Sequence, residues 1–228
     1  MENTILLNKE TNLTEIKSPL LRRLFDVQLK SIERSLKEIS KQVNPQPSIL
    51  DFGSGDYSYQ HLFQGHAAYN TLDINAKANF KTLAEIEEKF DIILCIEVLE
   101  HVKNPQETIV QLLSKLKARG KLIISTPFNA RVHRCPKDYQ RFSIDFFQEL
   151  NELPEIESIS IRPRGHNLDT VLSKLIALLL NPFNSIAGLI LAILCLPILA
   201  ILYVINFLNL EGVSNDDPLG FVVVITPK

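Results

Sequence analysis

Glu97 and His101 lie four residues apart with Glu100 between them, so one helical turn would present all three on one side. Carboxylate and imidazole ligands suit a divalent ion, which could orient and acidify a hydroxyl group. His101 is also a natural general base, because free imidazole titrates near neutrality. Its alternative role is to pack at the start of the following helix. A second feature is the turn Gly53-Ser54-Gly55, directly after the apolar run Ile49 to Phe52. Such a turn lets backbone N–H groups come close to a ligand. Asp73 follows about twenty residues later, where doubly wound folds set a carboxylate for ribose hydroxyls. Turn and acid together mark a nucleotide site without identifying the nucleotide.

The elements that must hold these residues alternate in type. Apolar residues at helical spacing predict a helix over 18–43, with Ser18-Pro19 at its start and Asn44-Pro45-Gln46-Pro47 beyond its end. Strands are expected at Ser48–Phe52, Tyr69–Ile74, Ala78–Phe80, Phe90–Ile96, Lys121–Ser125, Ile156–Ile161 and Phe221–Thr226. Helical segments are expected at Tyr57–Phe63, around Ala84–Lys89, at Pro105–Lys117 and at Ser143–Asn151. This order predicts an α/β fold: a Rossmann-like, seven-stranded, mostly parallel sheet with helices on both faces. The chain divides into an arm and helix (1–47), a catalytic domain (48–170 and 212–228) and an apolar insertion (171–211).

Composition bounds the function. A chain of 228 residues supports one substantial α/β domain. A formal net charge of −2 excludes a nucleic-acid backbone as the main partner. Cys95, Cys135 and Cys195 form no CxxC pair and read as reduced thiols in a cytosolic setting. Glu2, Lys9, Glu10 and Glu15 interrupt any signal-peptide run.

Three motifs carry a resemblance. Asp51-Phe52-Gly53-Ser54-Gly55 resembles the first motif of class I S-adenosylmethionine (SAM)-dependent methyltransferases. Phe90-Asp91-Ile92-Ile93-Leu94-Cys95-Ile96-Glu97-Val98-Leu99-Glu100-His101-Val102 looks like the "EVLEHV" segment of the ubiquinone-type group, and Gly120–Pro127 is similar to the group's fifth-strand motif. The resemblance covers about residues 48 to 150. It implies SAM as cofactor, held by Asp51, Gly53, Gly55, Asp73, Ile74, Cys95 and Glu97. Gly53 and Gly55 would face the methionine part, and Asp73 the ribose. The pattern of Glu97, Glu100 and His101 looks like the metal signature of small-RNA 2′-O-methyltransferases, which place a further histidine where His133 stands. Two departures stand out. Tyr57 replaces the third glycine, and Asn79–Leu83 offers no carboxylate for the adenine, leaving Thr82 for that role.

The loop Pro127–Ser143 resembles one found in methyltransferases of bacterial glycan and cell-envelope pathways. It implies His133 as a second catalytic residue and Tyr139 and Arg141 near the substrate. The alternative is a structural cover in which Asp138 and Arg141 pair with each other.

Between Lys174 and Glu211 no residue is charged, and Ile186 to Ile205 is almost continuously apolar. That length suffices to cross a bilayer, but one crossing would separate the last strand from its sheet. A helical hairpin turning at Asn181–Asn184 and dipping into one leaflet satisfies both constraints. Burial of this segment against protein is the alternative. The expected enzyme is an O-methyltransferase on the cytoplasmic face of a membrane, attached monotopically, with a small-molecule or lipid-linked glycan acceptor. Two other readings are a quinone-pathway methyltransferase and an inactive membrane-anchored scaffold.

Overall fold

The protein is described here from a computed structural model, over residues 26–43, 45–55, 58–74, 77–133, 137–180, 186–207, 214 and 216–228. Helix α1 (Val27–Ser40) opens the described chain. Asp26 caps it, its Oδ1 accepting the Leu29 N–H at 2.9 Å, which satisfies one of the orphan donors of the first turn. The expected start at Ser18-Pro19 lies outside the described residues.

Six strands form one sheet: β1 (Ser48–Phe52), β2 (Ala68–Leu72), β3 (Phe90–Ile96), β4 (Leu116–Pro127), β5 (Ile156–Arg164) and β6 (Gly220–Pro227). Their spatial order is β2-β1-β3-β4-β6-β5. The first four run parallel, and β6 is antiparallel to both of its neighbours. The third of the seven expected strands, Ala78–Phe80, is reduced to a single bridge between Leu72 and Phe80. Asn79 explains the difference. Its Oδ1 accepts from both the Thr71 N–H and the Thr71 hydroxyl, so a side chain takes the place of a continued ladder.

Period-2 alternation divides the core. Ile49, Ile92, Leu94, Ile96, Ile123 and Val222 face α1 through Leu29, Ile32, Leu36 and Ile39. Their neighbours Leu50, Ile93, Cys95, Leu122, Ile124 and Val223 face the other way. There they meet helices α2 (Pro105–Ser114) and α3 (Ile144–Glu149) through Ile109, Leu112 and Phe147. Helices thus cover both faces, as expected. Two boundaries differ. The helix expected at 57–63 is a short 3₁₀ turn, Gln60–Leu62, and β4 begins at Leu116, within the helix expected to run to Lys117.

The apolar segment holds two helices, α4 (Asn167–Leu180) and α5 (Ile186–Phe207), which pack on each other. The turn expected at 181–184 lies outside the described residues. Leu172 and Ile176 of α4 join Val27 and Leu219 in a small core of their own, with Leu202 and Tyr203 of α5 packed against it. Among the described residues no helix is long and apolar enough to cross a membrane.

Gly220 starts β6 where a Cβ would lie 2.2 Å from the Thr126 carbonyl oxygen and 2.6 Å from Arg164 Nη2. Neither neighbour is a flexible end that can swing away, since Arg164 is fully buried. Gly220→Ala is therefore expected to lower stability by about 1–3 kcal/mol or more, measured by denaturant unfolding.

Candidate active site

The glycine turn lies at the carboxyl ends of β1 and β2. Gly53 (φ +73°) and Gly55 (φ +53°) both adopt the left-handed region that favours glycine. The Gly53 N–H donates to the Leu72 carbonyl at 2.7 Å, which ties the turn to β2. A Cβ on Gly53 would meet Val98 Cγ2 at 2.4 Å, whereas one on Gly55 would meet nothing within 4 Å. Gly53 thus serves close packing and Gly55 borders open space. The Gly55 N–H donates to Asp73 Oδ2 at 3.0 Å, so turn and acid are joined before any ligand arrives. Ile74, beside Asp73, is 69% exposed.

Two residues expected in the cofactor set are buried instead. Asp51 is within β1, 1% exposed, and accepts the Tyr69 hydroxyl at 2.6 Å. Burial pushes its carboxyl up to about 6, against the pull of the Tyr69 hydroxyl and with added repulsion from Asp73. Cys95 points into the core, where burial raises its thiol well above the usual range and keeps it neutral. Their side chains are thus turned into the protein, and only main chain at these two positions can line the cleft. Their positions in the strands follow from alternation, which the apolar run of β3 conceals.

Glu97 follows β3 with φ +55°. Its N–H donates to the Ser125 carbonyl at 2.9 Å. Its Oε1 accepts from the Ser125 hydroxyl at 2.7 Å and from Arg164 Nη2 at 3.0 Å. Arg164 has no exposed surface. Its Nη1 also donates to Ser31 Oγ and to the Gln28 side chain, each at 2.9 Å. Glu97 therefore stands outside the expected metal set, because a buried guanidinium already holds it. Sequence reading missed Arg164, Ser125 and Tyr69. The one signal for Arg164 was a charge at the end of a strand just before Gly165.

The residues brought together are Glu100, His101 and His133, with one donor atom from each lying within 4.8 Å of the others. A 3₁₀ turn, Leu99–His101, carries the first two. Glu100 is fully buried, and among the described residues neither carboxylate oxygen has a hydrogen-bond partner. Its Oε1 lies 3.7 Å from His101 Nε2 and 3.8 Å from His133 Nε2, too far for hydrogen bonds. Burial first, and then the charge of Glu97, pushes the Glu100 carboxyl up to about 8. His101 Nδ1 sits 2.6 Å from the Lys137 carbonyl, so Nδ1 carries the proton and Nε2 keeps its lone pair. Burial lowers the His101 pKa, which favours that neutral form. The two imidazoles meet edge to face with centroids 4.8 Å apart. Such an orphaned acid between two nitrogens fits a divalent cation by its donor chemistry.

The loop that covers this cluster is held by the pairing of Asp138 and Arg141. Arg141 Nη2 donates to Asp138 Oδ2 at 2.8 Å, and Nη1 to Asp138 Oδ1. Asp138 Oδ2 also accepts the His133 N–H at 2.9 Å. Arg141 thus braces the loop, as the structural alternative required. Tyr139 is 47% exposed beside it. Thr82, the residue left for the adenine, donates to Glu85.

A family model described as "Methyltransferase domain" matches residues 21–171. The chain belongs to the methyltransferase-domain family. Within it, the chain is similar to the ubiquinone biosynthesis O-methyltransferase of Rickettsia bellii. The two are 38% identical over 76 residues, which cover 32% of this chain and 29% of that one. The enzyme of the same name from Stutzerimonas stutzeri is 31% identical over 106 residues, 46% of this chain and 42% of its own. The matched part spans less than half the length of these curated relatives. Among solved structures, a SAM-dependent methyltransferase from Archaeoglobus fulgidus aligns with TM-score 0.53 at 14% identity, over 91% of this chain and 98% of its own. Coclaurine N-methyltransferase bound to N-methylheliamine and S-adenosylhomocysteine aligns with TM-score 0.52 at 15% identity, over 86% and 70%. At such identity these two show the fold alone: the methyltransferase domain is Rossmann-like, with six strands in its sheet.

The buried Asp51 makes the stability of the methyltransferase domain depend on pH. Its folded pKa of about 6 lies above the value of 3.8 expected of an exposed aspartate. Between these values the unfolded chain has released the proton and the folded one retains it, so stability falls as pH rises from about 4 to 6. Asp51→Asn removes this contribution and keeps an acceptor for Tyr69. The stability advantage of wild type over the variant is expected to shrink across that window by up to about 3 kcal/mol. Urea melts at several pH values check it.

Proposed function

We propose that this chain is a SAM-dependent O-methyltransferase that brings an acceptor hydroxyl to the Glu100–His101–His133 cluster. The carrying observation is Glu100, fully buried between two imidazole nitrogens, with neither oxygen hydrogen-bonded among the described residues. SAM supplies an electrophilic methyl group on a sulfonium when bound. For that group the chain offers the turn at Gly53 and Gly55 and the carboxylate of Asp73, already oriented by the Gly55 N–H. A divalent ion would be held by Glu100, His101 and His133, and would lower the pKa of a coordinated hydroxyl. The chain's own part is to fix the tautomer of His101 through Lys137, to shape the loop through Arg141, and to exclude water around Glu100. Without an ion, the bare Nε2 of His101 is the base that takes the hydroxyl proton.

The names of the curated relatives favour a quinone-type hydroxyl acceptor over the lipid-linked glycan. None of the proteins compared above is named for a glycan. The exposed Phe128, Val132 and Tyr139 around the loop suit an acceptor with an apolar or aromatic part.

Calorimetry is expected to find S-adenosylhomocysteine bound, with Asp73→Ala weakening it by about 1.5–3 kcal/mol. Unchanged affinity would sink the cofactor assignment. Incubation with methyl-labelled SAM and a membrane extract is expected to label a quinone-type product, and an absence of transfer would favour a scaffold. Chelator is expected to abolish labelling and added metal to restore it. His133→Ala is expected to lower affinity for Mn²⁺ or Zn²⁺ by roughly 10–100-fold. Full activity in excess chelator would leave His101 acting as a base alone.

A further inference from the structure

Helix α5 presents an unusual surface. Ile190, Ile193, Leu194, Leu196, Ile198, Ile201 and Val204 are each 52–66% exposed. At 100° per residue they fall within one arc of ~200°, along a helix about 33 Å long. Leu202 and Tyr203, just beyond the two edges of that arc, pack towards Val27, Leu172, Ile176 and Leu219. The exposed arc is aliphatic throughout, and a monomer in water rarely leaves so continuous a stripe uncovered.

Three observations say what covers it. Protein interfaces draw on aromatic, methionine and arginine side chains with a polar rim, and this arc has none of these. Its polar boundary is a lysine and a tyrosine: Lys30 Nζ donates to the Tyr203 hydroxyl at 2.9 Å and lies 5.1 Å from the ring centroid. These residue types sit at the level of lipid headgroups. Lastly, the helix pair is continuous with the candidate active site. The Leu219 side chain belongs to the core shared with α4 and α5. Its carbonyl accepts the N–H groups of Phe128 and Asn129 at 2.9 and 3.0 Å, at the start of the loop that carries His133. Farther along that loop Arg131 and Lys137 are exposed beside the exposed Val132 and Tyr139. A cationic and apolar rim complements anionic headgroups.

We infer that the aliphatic face of α5 seats in the acyl region of one leaflet of an anionic bilayer and brings the acceptor loop to the headgroup level. The attachment is monotopic and suits the cytoplasmic leaflet, whose surface is anionic. That the loop receives an acceptor from the lipid rests on the function proposed above; the docking itself does not.

The test is flotation of the full chain with vesicles of phosphatidylcholine alone and of phosphatidylcholine with phosphatidylglycerol, after detergent removal. The wild type is expected to float with both, to resist high salt, and to partition more strongly onto the anionic vesicles. The combined variant Leu194→Glu, Ile198→Glu, Ile201→Glu is expected to lose flotation by roughly tenfold or more. Its thermal unfolding and its affinity for S-adenosylhomocysteine should stay near those of the wild type. Arg131→Glu with Lys137→Glu is expected to lower the preference for anionic vesicles while flotation with phosphatidylcholine alone persists. Wild type that stays unbound to both vesicle types overturns the inference. So does a wild-type dimer, seen by light scattering, that the triple variant turns into a monomer without any flotation. Flotation without binding of S-adenosylhomocysteine would refute the enzymatic reading and leave the lipid surface standing.

Discussion

A guanidinium without any exposure to water holds the centre of this molecule. Arg164 reaches from the end of β5 to Glu97 at the end of β3, and to Gln28 and Ser31 on α1. Burying such a charge costs several kcal/mol unless it is paired. Its pairing therefore commits three elements, far apart in sequence, to one arrangement. Glu97 accepts a left-handed backbone to make the contact, and Ser125 steadies the same oxygen from β4. Gly220 must lack a side chain because the arginine passes so close. The floor of the cleft, the entry of the last strand and the seat of the first helix are consequences of one ion pair.

Next to that satisfied pair lies an unsatisfied acid. Glu97 and Glu100 are near neighbours with opposite environments, since one carboxylate is neutralised by Arg164 and the other has no hydrogen-bond partner among the described residues. Two carboxylates set apart in this way have different work to do. Glu97 is held by Arg164 and Ser125, and Glu100 faces the two imidazoles. The two histidines, each held through Nδ1 by a main-chain carbonyl, turn their second nitrogens towards Glu100.

Local signals in the sequence were strong where the chemistry is local. The turn at Gly53 and Gly55, its link to Asp73, and the run of β3 are short-range patterns, and each was legible. So was His133, through a resemblance. The strand expected at Ala78–Phe80 was misread because Asn79 answers the hydrogen bonds of Thr71 with its side chain, which no hydropathy pattern records. Glu97 stands apart from the Glu100–His101–His133 cluster for a different reason. Spacing from His101 said it shared a helical turn, whereas the 3₁₀ turn begins only at Leu99 and its partner Arg164 is 67 residues away. Long-range ion pairs leave no period in a sequence.

The strand order bears on how the chain is made. β6 is the last strand in sequence but sits between β4 and β5. A ribosome releases β5, α4 and α5 before it releases the strand that joins β5 to the sheet. Through that interval β2, β1, β3 and β4 can assemble as a parallel block, while β5 has no ladder partner and the aliphatic helices are already outside. The chain thus has its apolar surface on display before its cleft is finished, so a nascent chain would meet a bilayer, or a chaperone, earlier than it could meet its cofactor.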